Sequence, residues 1–459
     1  MIFWQSMTKK TPPVPVDLSD ADVHAELVRW QREWARRQQS AGQLRTMNDM
    51  EDAAELSKER AGHDVVEAML QNLTPETGKS LPCPRCGKPV GVKSKGRARA
   101  VRTLSGEVTL IRNYHYCERC SHGFYPRDIE LGLPEEGSLS EKMQARVLDF
   151  AVNDTFEQAA SRWSVHYRQP ISENLLRCVT ERAGRQCEES DRHRLHSSAL
   201  PVSDERAELL IIQNDGSMLP MRGEEPWKEV KMAVIYRVAN TPNEKPAVRY
   251  LAVLGPQEDF RKEVRAALAV ENAKRAKRIV WIADGARANW NLAYDTCLGA
   301  TQILDWYHAI ENATACASVL FEGDAHCVSL WKKRVESILL SDAPESVLDE
   351  LRQCRELIDN GEQREALEKL LGYYFSNRER MQYAKFRAQG LPIGSGVVES
   401  AHRHVLQVRM KRAGQHWDYD NARRMVQLRA LYRTTGPHDF HRAILSAAND
   451  NGQRLKAVA

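Results

Sequence analysis

Two apolar runs end in an aspartate followed by a glycine. One is "LIIQNDGSML", with Asp215 and Gly216, and the other is "WIADGARANW", with Asp284 and Gly285. A turn explains either alone. Taken together, they place two carboxylates at strand ends, and such a pair repels itself unless a cation is shared. Mg²⁺ prefers oxygen ligands and keeps positions open for phosphate oxygens. A third carboxylate is at hand in Glu399, the only acidic residue between Arg387 and Asp418. Three such groups can hold two Mg²⁺ (or Mn²⁺) ions about 3.5–4 Å apart. One ion activates an attacking water or 3′-hydroxyl, and the other stabilises the leaving oxygen. "ILDWYHA" adds Asp305 and His308 in a D-x-x-H arrangement that could orient a ligand or touch the scissile phosphate. Asp305 also stands as the alternative to Asp284 as second metal ligand.

A different metal chemistry is written in the cysteines. Cys83 and Cys86 form one C-x-x-C pair and Cys117 and Cys120 a second, with thirty residues between the pairs. The intervening "RAVRTLSGEVTLIRNYHY" breaks at Ser105-Gly106, which signals a hairpin. Two knuckles joined by a hairpin predict a zinc ribbon, four thiolates around a structural Zn²⁺ with no open coordination position. The other six cysteines are scattered and read as packing residues.

The elements that must position the carboxylates follow from residue 205. Three runs, "AELLIIQND", "VKMAVIYRV" and "AVRYLAVLG", predict an antiparallel meander. A helix then leads to "RIVWIAD", and a second helix leads to "ATQILD". That element order is the one of an RNase H-like fold, in which the first and fourth strands lie side by side and bring Asp215 to Asp284. The expected fold class is therefore multidomain α+β. A zinc ribbon and a helix-turn-helix precede an RNase H-like α/β core interrupted by an all-helical insertion.

The boundaries expected are a helical region at 1–80, whose first helix is capped by Ser19, and a ribbon at 81–130. A helix-turn-helix-like region follows at 138–190. The core comes in two parts, 205–308 and 391–433, separated by a helical insertion at 309–390, and a basic tail fills 434–459. Net charge is only +4, but residues 83–127 hold ten Lys/Arg against two Glu, and residues 401–459 hold eleven against four Asp. Two basic blocks suit a phosphate backbone, with Arg97, Arg99, Arg409, Lys411 and Arg412 as the expected DNA contacts. The start, "MIFWQSMTKKTPPVP", lacks the pattern of a signal peptide. No apolar run approaches the ~20 residues of a membrane span. A cytoplasmic protein without a membrane partner is expected.

With "NDGSM", "IADGARANW", "LDWYHA" and "LPIGSGVVESAHRHVLQVRMKRAGQHW" in this order, the chain resembles bacterial insertion-sequence transposases of the DDE superfamily. It is nearest to the ISKra type and more distantly similar to Mutator-like transposases. The resemblance runs from the knuckles near 83 to about 433. It implies that Asp215, Asp284 and Glu399 are a catalytic triad and that Asp305 and His308 match a C/D-x-x-H motif. It also implies cleavage of double-stranded DNA at terminal inverted repeats, strand transfer, and action as a homodimer or larger oligomer. The alternatives are a DNA-binding regulator whose former nuclease core is only structural, and a hydrolytic nuclease without strand transfer.

Overall fold

The computed structural model describes residues 21–40, 42, 46–73, 80–196, 207–238, 248–341 and 343–458; Ser19 lies outside them. The described residues fall into two compact units. The first holds those up to Ser80 with Val90–Tyr116 and Gly123–Ser140, and the second holds Leu81–Pro89, Cys117–His122 and those from Glu141 on. This division cuts through the ribbon expected at 81–130: the cysteine knuckles group with the second unit and the hairpin between them with the first.

The first elements are helices α1 (Ala21–Ser40) and α2 (Met47–Gln71). Thr46 opens α2 with a reciprocal capping box, its hydroxyl accepting from the Asp49 N–H while the Asp49 carboxylate accepts from the Thr46 N–H, which satisfies two otherwise unpaired donors. Short strands β1 (Leu81–Pro82) and β2 (Pro89–Val90) pair with each other. β3 (Val92–Thr103) and β4 (Gly106–Cys117) form a long antiparallel hairpin, joined by β5 (His122–Phe124) and followed by α3 (Pro126–Glu130). The hairpin closes at Gly106, whose φ of 113° suits glycine. Val101, Val108 and Leu110 pack against Val66, Leu70, Leu73 and Leu133.

Arg99 and Arg112 converge on the buried carboxylate of Asp128, and Arg99 also donates to the carbonyls of Pro134 and Gly137. The Arg112 guanidinium lies 3.6 Å from the centre of the Tyr125 ring. The expectation that Arg99 contacts DNA is corrected here: its side chain is 8% exposed and committed to this cluster. Replacing Asp128 by Ala would leave two buried guanidiniums without their counter-charge. It should cost about 3–5 kcal/mol, read as an early transition in denaturant unfolding followed by Tyr and Trp fluorescence. A loss below about 1 kcal/mol, the scale of a surface pair, would show that the cluster is not a structural centre.

The second unit continues with α4 (Glu141–Asn153), α5 (Phe156–Tyr167) and α6 (Glu173–His196). Then come β6 (Leu209–Pro220), β7 (Trp227–Arg237), β8 (Val248–Leu254), α7 (Gln257–Val270), β9 (Arg278–Ala283), α8 (Arg287–Thr296) and β10 (Thr301–Leu304). Helices α9 (Trp306–Leu320), α10 (Ala325–Ser341), α11 (Pro344–Glu356), α12 (Gly361–Asn377) and α13 (Tyr383–Ala388) follow. The chain closes with α14 (Gly396–Ala401), a π-helical turn at His402–Gln407, α15 (Val408–Met410) and α16 (Tyr419–Val458). α16 bends at Gly436–Pro437, where φ reaches 74° and proline removes a donor. The segment expected as a tail from 434 is therefore the far arm of this helix. No described helix is long and apolar enough to cross a membrane.

The sheet has the order β10-β9-β6-β7-β8. β6 pairs antiparallel with β7, and β7 with β8, while β6 and β9, and β9 and β10, are parallel. β7 shows the two faces by its period of two. Ala233 and Ile235 join the core built with α7 to α13, whereas Val230, Met232 and Val234 join the core built with α14, α15 and α16. Helices α4 and α6 lie against α16, most closely at Gly184, where a Cβ would come 2.6 Å from that of Arg424. Buried Glu188 pairs there with Arg423 and Arg424. Glu173, Asn174 and Arg177, in the first turns of α6, remain exposed.

Candidate active site

The site grows from the central strand. β6 is paired on both sides only as far as the row Asn214↔Ala283, where β9 ends; β7 continues alongside to Pro220↔Trp227. Asp215 is thus not at the end of its strand, as the run "LLIIQND" suggested. It is the first residue past the end of the parallel pairing, and its side chain is 21% exposed. Asp284 follows the last residue of β9 directly.

Two buried amides on β6 fix what surrounds these carboxylates. Gln213 accepts from the Val398 N–H at 3.0 Å and donates to the Gly394 carbonyl at 3.2 Å, tying the start of α14 to the sheet. Asn214 accepts from the Trp281 indole and donates to Asn289, which in turn donates to Asp284 Oδ1 at 2.6 Å. The Ala286 N–H adds a second bond to the same oxygen. Gly285 is required by space: a Cβ there would come 2.2 Å from the Tyr373 ring. At Gly216 the obstruction is the mobile end of Glu229, so the two Asp-Gly pairs share a sequence and not a cause.

Asp305 caps α9 and is fully buried. Its Oδ2 accepts from the His308 N–H and the His308 ring Nδ1 (2.7 Å), and its Oδ1 accepts from the Ser395 N–H at 2.6 Å. Both oxygens are committed inside the protein. The Asp305 bond, with the charges of Asp305, Asp215 and Asp284, outweighs burial and raises the His308 pKa to about 9. That pKa keeps His308 a cation at neutral pH, within electrostatic reach of the half-buried Asp215 and Asp284 carboxylates. Glu399 lies exposed in α14, accepting from the Ser395 hydroxyl at 3.2 Å. Burial raises the Asp215 pKa, but His402, the Gly216 N–H and His308 together hold it below the usual carboxylate range.

Among the described residues, the four cysteines are the only group of three or more potential ligands whose ligand atoms all lie within 4.8 Å of one another. Cys83, Cys86, Cys117 and Cys120 could hold a metal ion such as zinc, and four sulfurs at this spacing match that ion's tetrahedral preference. Gly87 turns the first knuckle with φ 71°, and its N–H bonds to the Cys83 carbonyl. The Lys88 backbone N–H leads the effects that lower the Cys86 thiol to about 7, toward the thiolate a metal needs. Asp215, Asp284 and Glu399 do not gather to the same 4.8 Å. Carboxylates serving two ions span more than the shell of one.

Of the other expected DNA contacts, Arg97 is exposed on β3. Lys411, half-buried, donates to Ser217 at 2.6 Å on the face of β6 that carries Asp215. Arg412 bonds to Gln158 and to the Val408 carbonyl. Arg409 is corrected: it is 1% exposed, lies between the rings of Phe156 and Trp417, and donates to the Ala151 carbonyl.

The description "Uncharacterised protein family (UPF0236)" matches residues 48–439, a span that takes in the cysteines and all three carboxylates. The chain belongs to the UPF0236 family. It is 25% identical over 351 residues to the "UPF0236 protein in vanSb 3'region" of Streptococcus gallolyticus, covering 73% of each chain.

Sequence reading missed four residues of this UPF0236 site: Gln213, Asn214, Asn289 and His402. The first two had a signal, since an adjacent amide pair inside an otherwise apolar strand must find partners when buried. Two outcomes follow. Cys117→Ser should lower bound zinc from about one ion per chain to well below that, measured by elemental analysis of protein purified without chelators. Full occupancy would remove the tetrathiolate assignment. His308 has a folded pKa above the ~6.5 of an unfolded histidine. Its stabilising effect is therefore complete below pH ~6.5 and is lost as pH rises through about 9. NMR titration of the metal-free protein should place the His308 midpoint near that value and move it down in Asp305→Asn. An unchanged midpoint in that variant would show that Asp305 is not the cause.

Proposed function

We propose that this protein is a DDE-type transposase whose central sheet is an RNase H-like core. It would bind the ends of a DNA element and catalyse metal-dependent strand cleavage and strand transfer. One observation carries the reading. In a sheet of order β10-β9-β6-β7-β8, Asp215 stands at the row where β9 leaves β6, Asp284 is the next residue after β9, and α14, which bears Glu399, is tied to the same strand through Gln213. These carboxylates come from three distant segments of the chain, each connected to the region where β9 leaves β6.

Bound at Asp215, Asp284 and Glu399, two Mg²⁺ ions would supply the Lewis acidity for attack at phosphorus and for departure of the leaving oxygen. The protein's part is positional. Asn289 and the Ala286 N–H hold the Asp284 carboxylate in one orientation. Asp305, held from two helices, is a positioning residue: it keeps His308 charged and anchors the Ser395 N–H ahead of Glu399. Asp284 rather than Asp305 is the second ligand, because both Asp305 oxygens are already bonded in the interior. His308 offers its charge to a phosphate oxygen, and Lys411 offers another on the same face as Asp215. The four-cysteine knuckles, read as a zinc ribbon, and α4–α6, read as a helix-turn-helix, would contact the duplex, with two copies of the chain serving two ends.

Replacing Asp215, Asp284 or Glu399 by Ala should lower cleavage of end DNA by roughly 10³-fold or more, with losses that do not add because the three act as a unit. End binding in a gel-shift assay should persist. His308→Gln should cost about 10–100-fold, the usual range for a supporting group. Nicked products that are never joined would favour a hydrolytic nuclease. Tight end binding with no cleavage by wild-type protein in Mg²⁺ or Mn²⁺ would favour a regulator. Full activity in Glu399→Ala would end the three-carboxylate reading.

A further inference from the structure

His402 follows Glu399 by three residues and sits in the π-helical turn, buried to 6% exposure. Its Nε2 faces Asp215 Oδ2 at 3.2 Å, and its Nδ1 has no hydrogen-bond partner. A buried imidazole with one nitrogen unpartnered and the other facing a carboxylate is costly, and sequence position alone does not explain why one stands here. The turn that carries it is itself held open. Buried Arg429 on α16 donates to the carbonyls of His404 and Val405, groups that an i→i+5 turn leaves poorly bonded, and also to the carbonyl of Val152. The helix is thus kept out of regular α geometry just where it passes Asp215.

The separation has a chemical meaning. Neighbouring ligands in an octahedral shell with bonds of about 2.0–2.1 Å lie about 3 Å apart. Asp215 Oδ2 and His402 Nε2 are spaced as two donors to one cation, and a ligating nitrogen needs a lone pair free of hydrogen bonds. Glu-x-x-His, with Glu399 and His402 three apart, is also a spacing by which one helix delivers an oxygen and a nitrogen ligand to a shared metal.

We propose that His402 is a nitrogen ligand to the divalent ion held by Asp215, so that this site has mixed oxygen and nitrogen donors and takes Mn²⁺ in preference to Mg²⁺. The proposal rests on the reading of Asp215 as a metal ligand. Imidazole favours later first-row ions over the hard Mg²⁺, so the selectivity comes from the ligand set rather than from cavity size. His308 is the competing nitrogen donor: its Nδ1 is bonded to Asp305, which leaves only Nε2 to reach a metal, and the test separates the two rings.

The test uses the full-length, zinc-loaded protein with Mn²⁺ alone as probe. Pulsed electron paramagnetic resonance should show imidazole ¹⁴N coupling to the bound Mn²⁺ in wild type and in His308→Gln, and none in His402→Gln. Calorimetric Mn²⁺ affinity should fall about 10–100-fold in His402→Gln, while Mg²⁺ affinity changes less. Mn²⁺ bound in wild type without nitrogen coupling, yet lost in Asp215→Asn, would overturn the His402 assignment and leave the carboxylate site standing. Coupling that disappears in His308→Gln would overturn it in favour of that ring. Mn²⁺ binding unchanged in Asp215→Asn would remove the underlying reading as well. The wild-type and His308→Gln spectra together decide the matter even if His402→Gln misfolds.

Discussion

Everything at the site depends on one strand having two kinds of neighbour. β6 is antiparallel to β7 along its whole length but parallel to β9 over only its first half. Where β9 stops, the backbone of β6 keeps its bonds to β7, so it stays straight and rigid. Its free side at the same row opens to solvent. A carboxylate there is held by a strand still bonded to β7 without being fully buried, the combination a cation site needs. Burial of both neighbours would have forced the carboxyl to protonate or pair. A true strand end would have left it on a loose loop.

That constraint is propagated by polar groups rather than by packing. Gln213 and Asn214, adjacent on β6, point to opposite faces and therefore bind different elements. Gln213 holds the turn before Glu399, and Asn214 holds the helix that orients Asp284 through Asn289. Buried amides of this kind contribute little net stability, but leaving either unsatisfied is expensive. The arrangement thus has few alternatives once the strand is in place. Asp305, the residue after β10, repeats the device two strands away, fixing Ser395 and His308 together.

This explains what could be read in advance. The strands were legible because apolar runs such as "LLIIQND" and "RIVWIAD" have no other low-energy use. The carboxylates were legible as polar interruptions at the ends of those runs. Pattern did not reveal that β6 continues six residues beyond Asn214, since Gly216, Ser217 and Pro220 look like a turn until β7 is seen beside them. Nor could it reveal Tyr373 over Gly285, which depends on a helix nearly ninety residues away. His402 looked like one of several polar residues in "ESAHRH". Its distinction is geometric, arising from a π turn whose cause, Arg429, lies in another helix.

Charge was the least legible property, because cations in this chain serve two different purposes. Counting Lys and Arg treats Arg97 and Arg99 as equals, yet they are two residues apart on β3 with opposite fates. Arg99 is enclosed with Arg112 around Asp128, while Arg97 is exposed. The same split divides the C-terminal block, where Arg409 and Arg429 are interior and hold backbone carbonyls. Interior guanidiniums need partners of fixed geometry and gain nothing from a polyanion. Exposed ones keep their attraction for phosphate because solvent, not protein, is what a phosphate displaces. The basic surface is therefore smaller than composition suggests. On β3 it is reduced to exposed Lys93, Lys95 and Arg97, in a stretch where the strand is irregular between Val92 and Arg97. If the proposed function holds, such exposed cations position phosphates, while sequence discrimination has to come from side chains that can reach base edges.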